Sequence, residues 1–207
     1  MLILHYTGMP TGREAIERLR DPAAKVSSHY VVEEDGSIFR LVPEQRRAAH
    51  AGISHWRGHA ALNARSIGIE IVNPGHEWGY RDFPALQMAA VCDLCLDILS
   101  RHPIPPRNVI GHSDVAPDRK QDPGELFDWE GLARNGVGLW PERDPPAPPE
   151  TETLPLLAAI GYRTDLPLSL LVAAFQRHWL PPRTDGIADA ATRSRIAAVA
   201  ALCAAGG

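Results

Sequence analysis

Five prolines, Pro141, Pro145, Pro146, Pro148 and Pro149, fall within nine residues that also carry Glu142, Arg143 and Asp144. Proline removes a backbone donor and fixes φ, so this run enters neither a helix interior nor a central strand and reads as an extended linker. It divides the 207-residue chain into a body of about 140 residues and a tail of about 55, a size at which a small helical unit can just sustain its own core. The expected organisation is a domain at 1–140, a linker at 141–153 and a second domain at 154–207, with few contacts across the boundary.

Within the body, Leu2 to Tyr6 is a short apolar run, and Ala15, Ile16 and Leu19 then repeat at helical spacing. Asp35-Gly36 lies between His29–Glu33 and Ser37–Val42, a hairpin signal because both turn positions favour positive φ. From Ser66 to Val72 the chain alternates, with Ile67, Ile69 and Ile71 on one face and Ser66, Gly68 and Glu70 on the other. Leu86, Ala90, Leu94 and Ile98 repeat every four residues after Pro84, which predicts a long amphipathic helix, and Asn108–Gly111 predicts a brief strand that delivers His112 into a loop. Alternating strands and helices make the body α/β, a mixed central sheet flanked by helices. The tail carries two helical stripes, Leu168, Leu171, Val172, Phe175 and Trp179, then Thr192, Ile196, Val199 and Cys203, which with Leu154 to Ile160 predicts a small all-α three-helix unit.

The net charge of -4, from 21 basic and 25 acidic side chains, offers no excess of cations for phosphates, so a nucleic-acid partner is not expected. No apolar run is long enough for a membrane span. Met1 to Tyr6 has neither the basic stretch nor the sustained apolar run of an export signal, so a cytoplasmic location is expected, with a periplasmic one the alternative if a segment precedes the sequence. Three cysteines make no disulfide framework, and Cys92 and Cys95 sit in the helical pattern as packing residues.

Of nine histidines, His55, His59, His76, His102 and His178 occupy polar surroundings or segment ends and read as surface residues. His5 and His112 each end a short apolar strand, where α/β folds present ligands. The segment Gly111-His-Ser-Asp-Val-Ala-Pro-Asp-Arg-Lys-Gln-Asp-Pro-Gly124 packs an imidazole, an ammonium and several carboxylates into one proline-bounded loop. A catalytic zinc needs three N or O protein ligands and an open position, which His5, His112 and Asp122 can supply; a solvated acidic loop is the reading that composition alone favours.

Six motifs then occur in one order: His5-Tyr-Thr-Gly8, Val26-Ser-Ser-His-Tyr30, Asp35-Gly36, His50-Ala-Gly52, Asn63-Ala-Arg-Ser-Ile-Gly-Ile-Glu70, and Gly111-His-Ser-Asp-Val-Ala-Pro117 through Lys120-Gln-Asp-Pro-Gly124. In these the body resembles the zinc N-acetylmuramoyl-L-alanine amidases of the AmpD type, which share their fold with peptidoglycan recognition proteins. The resemblance implies Zn2+ held by His5, His112 and Asp122, Glu70 as general base and Lys120 as oxyanion stabiliser. It places His29, His50, Asn63, Arg65 and Ala116 near the groove as substrate or supporting groups, with His29 leaning to a structural role. Ala49 stands where relatives often carry Trp. The tail resembles a peptidoglycan-binding helical module through Ala174-Phe-Gln-Arg-His178 and Asp185-Gly-Ile-Ala-Asp-Ala-Ala-Thr192. The implied function is hydrolysis of the amide between N-acetylmuramic acid, or its 1,6-anhydro form, and L-alanine, by a monomer acting on muropeptides or peptidoglycan. Its alternatives are a non-catalytic peptidoglycan recognition protein and a zinc peptidase cutting within the stem peptide.

Overall fold

The computed structural model describes residues 1–181 and 183–205. In chain order the body contains β1 (Leu2–Tyr6), α1 (Gly12–Arg20), β2 (Tyr30–Val32), β3 (Ile38–Arg40), β4 (His55–Trp56), β5 (His59–Ala60), β6 (Ile67–Ile71), α2 (Gly75–Trp78), α3 (Ala85–Arg101), β7 (Val109–Gly111), α4 (His112–Val115) and α5 (Trp129–Arg134). The tail contains α6 (Thr153–Ile160), α7 (Leu168–Trp179) and α8 (Ala190–Ala205). Five strands form one mixed sheet in the order β3-β2-β6-β1-β7, with β1, β2, β6 and β7 parallel and the β2–β3 hairpin antiparallel. His112 begins the short helix α4 directly after β7, where the sequence suggests a loop.

Strand alternation sends side chains to two faces, and each face has its own core. On one, Leu2, Leu4, Val32, Ile69 and Ile71 meet Val91, Leu94, Cys95 and Ile98 of α3. The four-residue spacing drifts off this stripe: Leu86 is 70% exposed, and Gln87 is buried instead, donating to the carbonyls of Val32 and Val72. A carboxamide there satisfies sheet-end acceptors that an apolar side chain would leave unpaired.

The other face carries the main departure from the sequence reading. Ile3, Ala51, Trp56, Leu62, Ile110 and Val115 of the body form one continuous core with Leu157, Ile160, Tyr162, Leu171, Val172, Phe175, Trp179, Ile196 and Val199 of the tail. The boundary is therefore not one of few contacts. The side chain of Arg57 reaches across it to the carbonyls of Ala159 and Ile160, and its amide donates to Gly161. The proline run is itself tied down: Arg193 of α8 donates to the Pro148 carbonyl at 2.9 Å, Ser194 donates to that of Pro145, and Arg195 pairs with Asp144 at 2.7 Å while lying over the Trp140 ring. Proline predicts a run without helix or central strand, and residues 141–149 form neither; nothing in that preference says whether the chain then leaves the body or turns back onto it. Among the described residues, no helix is long and apolar enough to cross a membrane.

Candidate active site

His5 lies one residue before the end of β1 and registers with Glu70 of the neighbouring β6, so the two share the sheet face opposite α3. His112 follows β7, on the other side of β1. The loop after α4 then returns Asp122, whose carbonyl accepts from the Ser113 amide at 2.9 Å. These placements bring His5, His112 and Asp122 together, all buried. Their three donor atoms, His5 Nδ1, His112 Nδ1 and Asp122 Oδ2, are 2.9–3.0 Å apart pairwise.

The surrounding hydrogen bonds fix the tautomers. The Ser66 hydroxyl donates to the Leu62 carbonyl at 2.6 Å, so its oxygen accepts from His50 Nε2–H at 3.3 Å. Neutral His50 then has a bare Nδ1, which accepts from His5 Nε2–H at 2.9 Å and leaves His5 Nδ1 as a lone pair. His112 Nε2–H donates to the Ala51 carbonyl at 3.1 Å, leaving its Nδ1 bare as well. Two imidazole lone pairs and a carboxylate oxygen thus converge with no hydrogen to share, which is the arrangement a cation satisfies. Neighbouring donors around a four-coordinate ion with bonds of about 2.0–2.1 Å stand about 3.3 Å apart, close to the spacing here. The residues fit a metal of the N/N/O type. Burial and the neighbouring His112 push His5 down to about 4. Burial alone would raise Asp122, but the adjacent His112 and His5 hold it well below the usual carboxylate range.

A cleft of about 640 Å³ opens over these groups, lined also by Glu70, Lys120, Ala49, Tyr6, Arg18 and His76. Burial raises Glu70 well above the usual carboxylate value and Asp122 adds to this, with Lys120 opposing. A carboxylate of raised basicity beside a cation site is suited to take a proton from water.

The remaining sequence candidates fall into place differently. His50 is buried behind His5 and positions it; a Cβ on Gly68 would lie 2.4 Å from its ring, which explains the glycine between the isoleucines of β6. His29 accepts from the Gly68 amide through Nδ1 and donates to the Arg46 carbonyl through Nε2, so neither nitrogen is left for substrate. Asn63 Oδ1 accepts from the amides of His50 and Ala51 and shapes that loop. Arg65 pairs with His59 away from the cleft lining, and buried Ala116 is a turn whose carbonyl accepts from the Arg119 and Lys120 amides. His76, read as a surface residue, sits on the cleft rim between the Tyr6 hydroxyl and Glu125. His178, read the same way, is 2% exposed and stacked between Trp129 and Trp179. Arg119 went unnoticed in the sequence: it donates to the Ala51 carbonyl that also accepts from His112, and to that of Ile53. Its place one residue before Lys120 is the only signal.

The chain is 39% identical to N-acetylmuramoyl-L-alanine amidase AmiD of Escherichia coli, over 94% of its own length and 79% of the relative's. It is 42% identical to 1,6-anhydro-N-acetylmuramyl-L-alanine amidase AmpD of Escherichia coli, over 51% of this chain and 55% of that one. The solved complex of E. coli AmiD with anhydro-N-acetylmuramic acid-L-Ala-D-gamma-Glu-L-Lys superposes with a TM-score of 0.85, at 38% identity, over 96% of this chain and 87% of that one. AmpDh3 of Pseudomonas aeruginosa superposes at 0.87, at 32% identity, over 96% and 90%. Both superpositions therefore extend through the tail. The sequence profile of the family matches residues 1–125, and on these grounds the chain belongs to the N-acetylmuramoyl-L-alanine amidase family, Amidase_2.

Proposed function

We propose that the protein is a zinc-dependent N-acetylmuramoyl-L-alanine amidase that hydrolyses the amide joining the lactyl group of N-acetylmuramic acid, or its 1,6-anhydro form, to L-alanine. The observation that carries this is the convergence of two bare imidazole nitrogens and a carboxylate at the floor of a cleft that also holds Glu70 and Lys120. His5, His112 and Asp122 would hold a zinc ion, which when bound would supply Lewis acidity toward the scissile carbonyl and make water more acidic. Glu70 accepts one proton of the attacking water and returns it to the departing alanine nitrogen, so that one amide and one water become a carboxylic acid and an amine, which at neutral pH exchange a proton to give carboxylate and ammonium. The Lys120 ammonium stabilises the negative charge that develops on the carbonyl oxygen. His50, braced by Ser66, holds the His5 ring so that Nδ1 faces the ion.

The full set of ligands plus Glu70 and Lys120 favours the enzyme over a non-catalytic recognition protein. We assign a soluble muropeptide as the preferred substrate, with the complete site contained in one chain acting as a monomer. We place the enzyme in the cytoplasm, with the periplasm as the alternative, and cell fractionation tests it. Mass spectrometry of the products from purified anhydro-muropeptide and from sacculi tests the reaction. Release of the intact stem peptide with a free L-alanine amine is expected, whereas fragments cut inside the stem peptide would identify a peptidase, and an unchanged substrate a binding protein.

A further inference from the structure

Asp114 lies two residues beyond His112, in the same short helix, and is 1% exposed. Its Oδ2 accepts from the Gly111 amide at 2.8 Å and from His178 Nδ1 at 2.6 Å, and its Oδ1 accepts from the Tyr162 hydroxyl at 2.5 Å. Gly111 belongs to the body, but His178 and Tyr162 both come from the tail. No guanidinium or ammonium is paired with this carboxylate among the described residues, so its burial is made tolerable by donors, two of which the tail supplies.

We infer that Tyr162 and His178 are positioning residues for the metal centre: through Asp114 they hold α4 in the orientation that aims His112 Nδ1 at His5 and Asp122. The helix is four residues long and has no internal hydrogen-bond ladder of consequence, so its direction is set by its ends and by what grips its side chains. Val115 packs into the shared core, and Asp114 is clamped on both oxygens. The clamp is itself rigid. The His178 ring is stacked 3.8 Å from Trp129 and 4.0 Å from Trp179, and Tyr162 meets Trp56 edge-on at 5.1 Å. Apart from the Nδ1 contacts with His5 and Asp122, the His112 ring is held among the described residues by the Ala51 carbonyl, and Ala51 is part of the same core. The tail thus acts on a residue with which it shares no hydrogen bond among the described residues, and Asp114 carries the coupling.

This inference rests on the metal reading of the site, and its test separates the two. Zn2+ affinity of the full chain is measured by competition with a chromophoric chelator, alongside the visible spectrum of the Co2+ form and the thermal midpoint. Tyr162→Phe removes one hydroxyl and keeps the ring; His178→Leu removes the other donor; Leu171→Ala weakens the same tail core without touching Asp114. Outer-sphere partners are commonly worth about 10- to 100-fold in metal affinity. Tyr162→Phe and His178→Leu are therefore expected to weaken Zn2+ binding by at least about 10-fold and to alter the Co2+ spectrum, while Leu171→Ala stays within about three-fold of wild type despite an equal or larger loss of thermal stability. The inference is overturned if Tyr162→Phe keeps wild-type affinity, or if affinity simply tracks the thermal midpoint across all the variants. Should His178→Leu fail to fold, Tyr162→Phe decides alone. Wild-type protein that binds no Zn2+ would instead sink the metal reading itself.

Discussion

Cutting the chain after residue 149 separates two accounts of the tail. If the proline run were a free tether, the body would survive the cut. The shared core says otherwise: Ile3, Trp56, Leu62, Ile110 and Val115 are each at most 2% exposed, and the tail forms part of what covers them. Burial of such side chains is worth about 1.5–3 kcal/mol apiece, so uncovering half of the area of these five costs roughly 4–8 kcal/mol. Asp114 loses two of its three donors in the same cut, at about 1–3 kcal/mol or more for each buried partner removed. Domains of this size are stable by about 5–15 kcal/mol in total. The truncated protein is therefore expected to be unfolded or molten. Far- and near-ultraviolet circular dichroism through a thermal ramp, with limited proteolysis at 25 °C, reads this directly. A fragment 1–149 that melts cooperatively within a few degrees of the full chain and turns over soluble muropeptide normally would refute the reasoning.

Three further outcomes follow from the site and the surface. Asp122→Ala removes one of three ligands, and elemental analysis should find it without stoichiometric zinc; retained zinc would place the third ligand elsewhere. Glu70→Gln and Lys120→Ala should keep the metal and the melting profile yet lose about 10²- to 10³-fold or more in kcat, read by single-turnover product formation. Burial alone would raise Glu44, but hydrogen bonds from Arg101, Tyr30 and His102 outweigh it and hold it at about 2, below its ordinary 4.5. A carboxylate lowered on folding stabilises the protein above its unfolded value and loses that contribution as pH falls, so denaturation between pH 4.5 and about 2 should be shallower in Glu44→Gln than in wild type. Parallel urea curves across that range are the measurement, and identical pH slopes for the two proteins would dismiss the role of Glu44.

What the sequence disclosed was local. The alternation around Ile67, Ile69 and Ile71 gives a strand because the period-two pattern is complete within seven residues, and Asp35-Gly36 gives a hairpin through positive φ at Gly36 alone, with the Asp35 carboxylate instead accepting from the Ser37 amide. The three candidate ligands were legible because motif order marked them, and the structure brings His5, His112 and Asp122 to one point. The docking of the tail was not legible. Its key contacts join Asp114 to residues 48 and 64 positions later, and no periodicity encodes a pairing at such distances. His178 looked like a surface residue because its neighbours in sequence are polar, whereas its neighbours in space are two indoles. His29 and Asn63 lie beside the active residues in the chain fold but spend their polar atoms on backbone, a distinction that only hydrogen-bond accounting draws.

The proline strap, pinned along its length by Arg193, Ser194 and Arg195 of the last helix, sets the reach of the enzyme. A catalytic unit on a slack leash sweeps a volume around its anchor and can attack any bond inside it. Here little slack remains, because the last helix bonds the strap at residues 144, 145 and 148. A polymer bound by the tail would therefore meet the groove at one fixed distance and angle, and moving to the next bond would require release and rebinding rather than a swing of the tail.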